Sequence, residues 1–258
     1  EEGEGCVQWG GGRGEGEGRV AELRGGIGVQ GRLDPPKEPC RGTIRGRAEA
    51  GGRHKKQSGG RGQFGVARIS VGPLPAGSGY QFEDKIFGGS ISQSYRPAVQ
   101  KGIAEAAERG VLAGFPLVDF KVQLLDGKEH AVDSSEMAFK IAGSMGFKDG
   151  AAKSRPFLME PLMSLEVVVP ERYLGDVIGD LNSHRANVEG ITTRSDAQVI
   201  AAMVPLSETF GYATRLRSLT QGRAVFSLQF AKFREVPKSV MEEIVATSQG
   251  TRQAKGGR

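Results

Sequence analysis

The stretch LEVVVPERYLGDVIGDL at residues 165–181 decides the fold of the C-terminal part of the chain. Its first five residues are mostly apolar and rich in β-branched side chains, which is typical of a strand. The next apolar residues have the i, i+3, i+4, i+7 spacing of one helix face: Leu174, Val177, Ile178 and Leu181. The stretch therefore predicts a strand followed directly by an amphipathic helix.

The residues after this stretch repeat the alternation of strand and helix. The predicted elements are strands near 188–193 and 198–204, a helix over about 208–221 and a strand near 226–230. In the last strand Phe226, Leu228 and Phe230 are expected to face the core. The order βαββαβ is that of the ferredoxin-like α+β plait. A final helix is predicted from Pro237, before a loose basic tail over 250–258.

A second α+β domain is predicted before residue 156. Its elements are an extended arm over 41–61, strands near 64–71, 80–87 and 117–125, a turn at 126–128, and helices from Pro97 and near Asp133. Asp133 and Glu136 resemble a capping box at the start of the second helix. The apolar residues Met137, Ile141 and Met145 are expected to form its buried stripe.

The composition limits the class of protein. Twelve of the first 31 residues are Gly and show no apolar period, so residues 1–40 are predicted to be a disordered leader. Two cysteines cannot supply a disulfide framework, which fits a cytoplasmic protein, and no apolar run is long enough to span a membrane. The net charge of +5 favours a nucleic-acid partner.

The motifs for enzymatic chemistry are weak. The GIGVQG string at 26–31 matches a dinucleotide-binding pattern, but no strand precedes it and no helix follows. The sequence contains no GxxxxGK[ST] phosphate-binding loop, and its three His and two Cys lack metal-ligand spacing. We therefore predict no catalytic residue, no metal and no cofactor in this chain.

A basic loop is the strongest candidate site. Residues 41–61 hold seven basic side chains against one acid, and they end in the SGGRGQ loop at 58–63. Small residues there let a phosphate approach the backbone, and the Arg61 guanidinium can donate to it. His130 follows a second polar turn. A solvated hairpin tip and a surface histidine are the alternative interpretations.

Longer strings make the chain recognisable. They are RAEA at 47–50, QSGGRGQFG at 57–65, RPAVQKGI at 96–103, VDSSEMAFK at 132–140, GDVIGDLNS at 175–183 and VPLSETFGYATRLRS at 204–218. Together they resemble the C-terminal part of translation elongation factor G, the ribosomal translocase.

The resemblance implies two domains and a tail. Residues 41–155 correspond to the family's fourth domain, a βαβ domain similar to the second domain of ribosomal protein S5. Residues 156–240 correspond to the ferredoxin-like fifth domain, and residues 241–258 are the C-terminal helix and basic tail. The family's fourth domain enters the decoding site of the small ribosomal subunit and holds the tRNA–mRNA duplex during translocation. Its fifth domain faces large-subunit rRNA near the stalk base.

The resemblance also implies which residues contact RNA. The tip of the fourth domain comprises Ser58, Gly59, Gly60, Arg61, Gly62, Gln63, Gly127, Lys128 and His130. A supporting basic arm comprises Arg53, Lys55 and Lys56, and the rRNA face of the fifth domain comprises Arg215, Arg217 and Arg223. GTP and Mg²⁺ would bind the family's N-terminal domain, so this chain is expected to be a non-enzymatic, cytoplasmic monomer with no membrane partner.

Three alternatives stay open from the sequence. Val66 stands where the family usually has His, and the loop at 88–93 differs from the usual Pro-containing version, so the parent can be a paralogue. A ribosomal protection protein, which displaces a ribosome-bound ligand, has the same architecture, although the SGGRGQ string favours the translocase. A small ferredoxin-like enzyme would need convergent titratable residues, which the sequence lacks.

Overall fold

The structure, a computed structural model, describes residues 40–57, 62–194 and 196–255. These residues form two compact units. The first unit runs to Glu160 and includes the segment from Arg234 onward, and the second unit is Pro161–Phe233. Most of the predicted leader lies outside the described residues. Cys40, its last residue, is buried at 1% exposure.

The first unit contains a four-stranded sheet. Its strands are β2 (Ala48–Lys56), β3 (Gln63–Pro73), β4 (Tyr80–Asp84) and β5 (Phe120–Lys128), in the order β2-β3-β5-β4. β4 and β5 are parallel, and α1 (Arg96–Arg109) joins them in the expected βαβ unit. The other pairs are antiparallel. A short strand, β1 (Arg41–Ile44), pairs with the start of β6 (Pro156–Pro170).

The core of this unit lies between its sheet and two helices, α1 and α2 (Glu136–Lys153). Alternate residues of β3, among them Ile69 and Val71, are fully buried together with Phe120 of β5 and Phe139 of α2. The prediction for α1 is confirmed: Pro97 lies in its first turn, and Val99, Ile103 and Ala106 form its buried face.

Two strand boundaries differ from the prediction. β4 ends at Asp84 and not near Phe87, and the predicted turn at 126–128 is the last part of β5. β3 pairs with these residues, with Val66 opposite Lys128, after a register shift at Arg68. Pairing with a partner strand therefore overrides the local turn tendency of an Asp-Gly pair.

The prediction for α2 is wrong in both cap and buried face. Ser135, not Asp133, caps the helix: its Oγ accepts a hydrogen bond from Ala138 N at 3.2 Å. Met137 and Met145 are 56% and 47% exposed. The buried face consists mainly of small residues, Ala138, Ala142, Gly143, Gly146, Gly150 and Ala151, with two phenylalanines. Such a face has little hydrophobic periodicity, so the pattern of large apolar residues misplaced it.

The second unit confirms the ferredoxin-like order. Its elements are β6, α3 (Leu174–Ser183), β7 (Asn187–Arg194), β8 (Ala197–Pro205), α4 (Tyr212–Thr220) and β9 (Val225–Glu235). β8 pairs antiparallel with both β6 and β7, and β9 pairs with β6. Val177 and Leu181 of α3 are buried as predicted. Together the two units confirm the α+β class.

Three details of the C-terminal half differ from the prediction. Residues 206–209 form a 3₁₀ turn, and α4 begins only after Gly211, whose φ of 69° interrupts the helix. Phe230 is 57% exposed and does not join the core. The last helix, α5 (Lys238–Lys255), continues through most of the predicted loose tail. No helix of the described residues has the length and hydropathy to cross a membrane.

Candidate nucleic-acid interface

The ends of three strands in the first unit meet at one edge of its sheet, which we call the tip. Lys56 at the end of β2 is opposite Gln63 at the start of β3, and Lys128 at the end of β5 is opposite Val66. Among the described residues the tip comprises 56–57, 62–64 and 127–134. The structure places Gln63, Gly127, Lys128 and His130 at the same end of the sheet. Ser58, Gly59, Gly60 and Arg61 lie outside the described residues.

Hydrogen bonds join the two loops of the tip. The Asp133 carboxylate accepts from Gly62 N at 3.1 Å, and its carbonyl oxygen accepts from Phe64 N at 2.9 Å. Ser134 Oγ donates to the Phe64 carbonyl at 2.9 Å. A Cβ on Gly62 would lie 2.8 Å from Asp133 Cγ, so a larger residue there would displace the Asp133 carboxylate. Asp133 therefore fixes the geometry of the tip and does not cap a helix.

The imidazole of His130 is held in one tautomer. Its Nδ1 accepts from the backbone N–H groups of Val132 and Asp133 at 3.3 and 3.2 Å. Because a neutral ring carries its proton on the other nitrogen, Nε2–H is left as a donor. The His130 ring lies edge-on to Phe64, with centroids 6.1 Å apart, and the side chain is 55% exposed. The geometry thus presents a fixed, exposed hydrogen-bond donor.

Gln63 is also held in place by His54, a residue that no sequence pattern indicated. His54 Nε2 lies 2.8 Å from Gln63 Oε1, which accepts its hydrogen bond. The two residues lie on opposite sides of the loop that joins β2 to β3, and no spacing rule in the sequence signals their contact. Both side chains are half-buried. This pair stabilises the base of the loop at 57–62.

Three basic side chains form a cationic face, defined here as Arg53, Lys55 and Lys128. Gly52 of β2 faces the backbone of α2. Because side chains alternate along a strand, Arg53 and Lys55 point to the opposite face of the sheet. Arg53 is opposite Val66, which is opposite Lys128, and all three cations are exposed. None of them has an acidic partner among residues 40–57, 62–194 and 196–248. Lys56 points to the other side.

A third segment, Ile86–Ser92, contacts the tip, and no sequence pattern connected it to this site. Ser92 donates from its backbone N and its Oγ to the Glu129 carboxylate at 2.8 and 2.9 Å. Ile91 is fully buried against Gly127, where an added Cβ would lie 2.3 Å from Ile91 Cδ1. In the sequence, the signal for this contact was Ile91, a single apolar residue in a run of Gly and Ser.

Comparison with protein families identifies both units. Residues 36–155 match the family model described as elongation factor G, domain IV, and residues 157–244 match that of the elongation factor G C-terminus. The two matches cover most of the chain.

The chain belongs to the elongation factor G family.

A solved structure has the same architecture. The crystal structure of a protein from Thermus thermophilus is 39% identical in sequence and superimposes with a TM-score of 0.76. The match covers 91% of this chain but 35% of the Thermus protein, so the chain spans about a third of the length of that relative.

The three arginines of the elongation factor G C-terminal domain have different environments. The Arg215 guanidinium donates to the carbonyl oxygens of Phe210 and Glu208 at 2.9 and 3.0 Å, and it lies 3.6 Å from Asp180. It therefore holds the turn before α4. Arg217 and Arg223 are exposed near the C-terminal end of this helix. Of the three arginines, only these two are exposed.

The titratable groups of the described residues offer no metal centre. No group of three or more His, Cys, Asp or Glu side chains in the described part of the chain has the arrangement to hold a metal ion. His184, which lies 3.6 Å from Asp180, is part of the network around α3.

Proposed function

We propose that this chain is the ribosome-engaging part of an elongation-factor-G-like translation factor, and that its tip contacts the tRNA–mRNA duplex in the decoding site during translocation. The observation that carries the proposal is the cationic face of Arg53, Lys55 and Lys128 beside the exposed donor of His130. The family match supports it, because domain IV is the part that forms this tip.

The cationic face fits a phosphate backbone. Neighbouring strands are about 4.8 Å apart, so the Cα atoms of Arg53 and Lys128, two strands apart, are about 10 Å apart. Their flexible side chains can therefore reach successive phosphates. Each phosphate that a lysine or arginine neutralises releases counterions, which makes the binding favourable and dependent on salt. The sequence of the RNA has little influence on such contacts.

The hydrogen bonds of the tip support a role as a rigid prong. Asp133 and Ser134 fix the loop at 129–134 to the start of β3, and His54 fixes Gln63. Side chains that are already ordered lose less conformational entropy when they bind RNA. The tip can thus hold an RNA duplex in one position with no chemistry of its own.

The second unit would supply a further RNA contact. Arg217 and Arg223, exposed near the end of α4, are the proposed contacts with large-subunit rRNA near the stalk base. Arg215 would act indirectly, by holding the turn that positions this helix.

The proposal places GTP binding outside this sequence, since a phosphate-binding loop is missing from it. The chain would then use neither a metal nor another cofactor, and it would act as a monomer on cytoplasmic ribosomes.

Binding of the full chain to ribosomes, measured by sedimentation over a range of salt concentrations, tests the proposal. The variant Arg53→Gln/Lys55→Gln/Lys128→Gln should bind more weakly, and the slope of log K against log salt should fall by about 2 to 3. The matched control is Lys101→Gln/Arg109→Gln/Lys148→Gln, which removes the same residue types from exposed positions of α1 and α2. Equal binding by both variants would refute the proposed interface.

A further inference from the structure

Phe87 is the most exposed large apolar side chain of the described residues, at 93% exposure. It lies between β4 and α1, and no described aromatic ring contacts it. Gly88 and Gly89 follow, and a Cβ added to either would meet no atom within 4 Å. A phenylalanine this exposed buries almost none of its ring within the chain, so both ring faces are accessible to a ligand.

The segment that carries Phe87 is anchored at both ends. On one side Lys85 N donates to the Leu124 carbonyl at 2.9 Å, and Ile86 packs against the core. On the other side Ile91 is buried against Gly127. Only residues 87–89 are exposed, and the Phe87 Cα lies within about 14 Å of the Ile91 Cα. The ring therefore stands beside the tip.

We propose that Phe87 stacks on an unpaired RNA base while the cationic face holds the adjacent backbone. The inference rests on the proposed function and adds a base contact to it. One aromatic ring covers one base, and stacking on a base requires no other partner. A protein partner would require a contiguous interface of about 1,000 Å² or more, whereas the two residues that follow Phe87 are glycines and add no side-chain area.

The glycines also set the geometry of the contact. Gly88 has φ of 84°, a conformation that other residues rarely adopt, and it turns the chain directly after Phe87. Because neither glycine has a side chain, a base can approach the face of the ring. The cation nearest in sequence to the anchor is Lys128, which adjoins Gly127. The proposal requires that the phosphate bound by Lys128 belong to a nucleotide next to the base that stacks on Phe87.

The test uses the full chain and an RNA stem-loop with a single 2-aminopurine in its loop. Stacking quenches the fluorescence of this base on binding. Phe87→Ala and Phe87→Leu should each lose most of this quenching and weaken binding about five-fold or more, whereas Phe87→Trp should retain both. Met145→Ala, which removes an exposed apolar side chain from α2, should bind as the unmodified chain does.

The outcomes separate this inference from the proposed function. Unchanged quenching and affinity in Phe87→Ala would overturn the stacking contact, while weaker binding by the cationic-face variant would leave the proposed function in place. Full affinity in Phe87→Leu would also overturn it, because an apolar contact without an aromatic ring would then suffice. If neither Phe87→Ala nor the cationic-face variant weakens binding, both proposals fail. Phe87 is too exposed for these variants to alter folding, which a thermal melt would verify.

Discussion

Replacement of Gly52 by Ala tests the close packing that holds α2 against the sheet of the first unit. A Cβ at this position would lie 1.8 Å from the Ala142 carbonyl oxygen and 2.6 Å from Gly146 N. Both atoms belong to the helix backbone, so no side chain can rotate away. To reach an ordinary contact distance, α2 would have to retreat by about 1.5 Å.

This retreat would loosen the whole interface between the helix and strands β2 and β3. Overpacking of a core costs about 1–3 kcal/mol, and a clash with helix backbone belongs at the upper end. We therefore expect Gly52→Ala to lower the free energy of unfolding by about 3 kcal/mol. The matched control is Gly51→Ala in the same strand, where a Cβ would meet no atom within 4 Å. It should change stability by less than about 1 kcal/mol.

Urea denaturation followed by far-ultraviolet ellipticity measures both variants. Hydrogen exchange locates the effect: the amides of α2 should exchange faster in Gly52→Ala, and those of α3 in the second unit should not. Equal stability of Gly52→Ala and Gly51→Ala would refute the packing argument.

Three further predictions follow from named contacts. Ser135→Ala removes the N-cap of α2 and should cost about 1 kcal/mol in thermal unfolding, with Ser135→Asp restoring most of it. Arg215→Ala removes two hydrogen bonds to backbone carbonyls and should lower the melting temperature, whereas Arg217→Ala, at an exposed position, should not. Hydrogen bonds from Gln123 and two lysines lower the pKa of Glu83 to about 2, so its contribution to stability should be full above pH 4.5 and be lost as the pH falls toward 2. Glu83→Gln should flatten this acid limb of the stability curve, and an unaltered limb would contradict the assignment.

The amino-acid sequence by itself determined the elements whose signals are local. The alternation and helix spacing at 165–181 predicted β6 and α3, and Pro97 predicted the start of α1. These signals depend on residues within a few positions of one another. The long strings shared with elongation factor G identified the family, although no short motif did so.

Only the tertiary structure decided the features that depend on distant residues. The face that α2 buries was not predictable from hydrophobicity, because glycine and alanine pack there through close backbone approach. In the sequence Asp133 resembled a helix cap, because its real partner, Gly62, lies 71 positions away and leaves no local signal. The segment that carries Phe87 joins the tip through a bond between Ser92 and Glu129, 37 positions apart. Contacts at such separations leave no periodic trace in one sequence. The family resemblance grouped the two loops of the tip, but only the fold showed which residues join them.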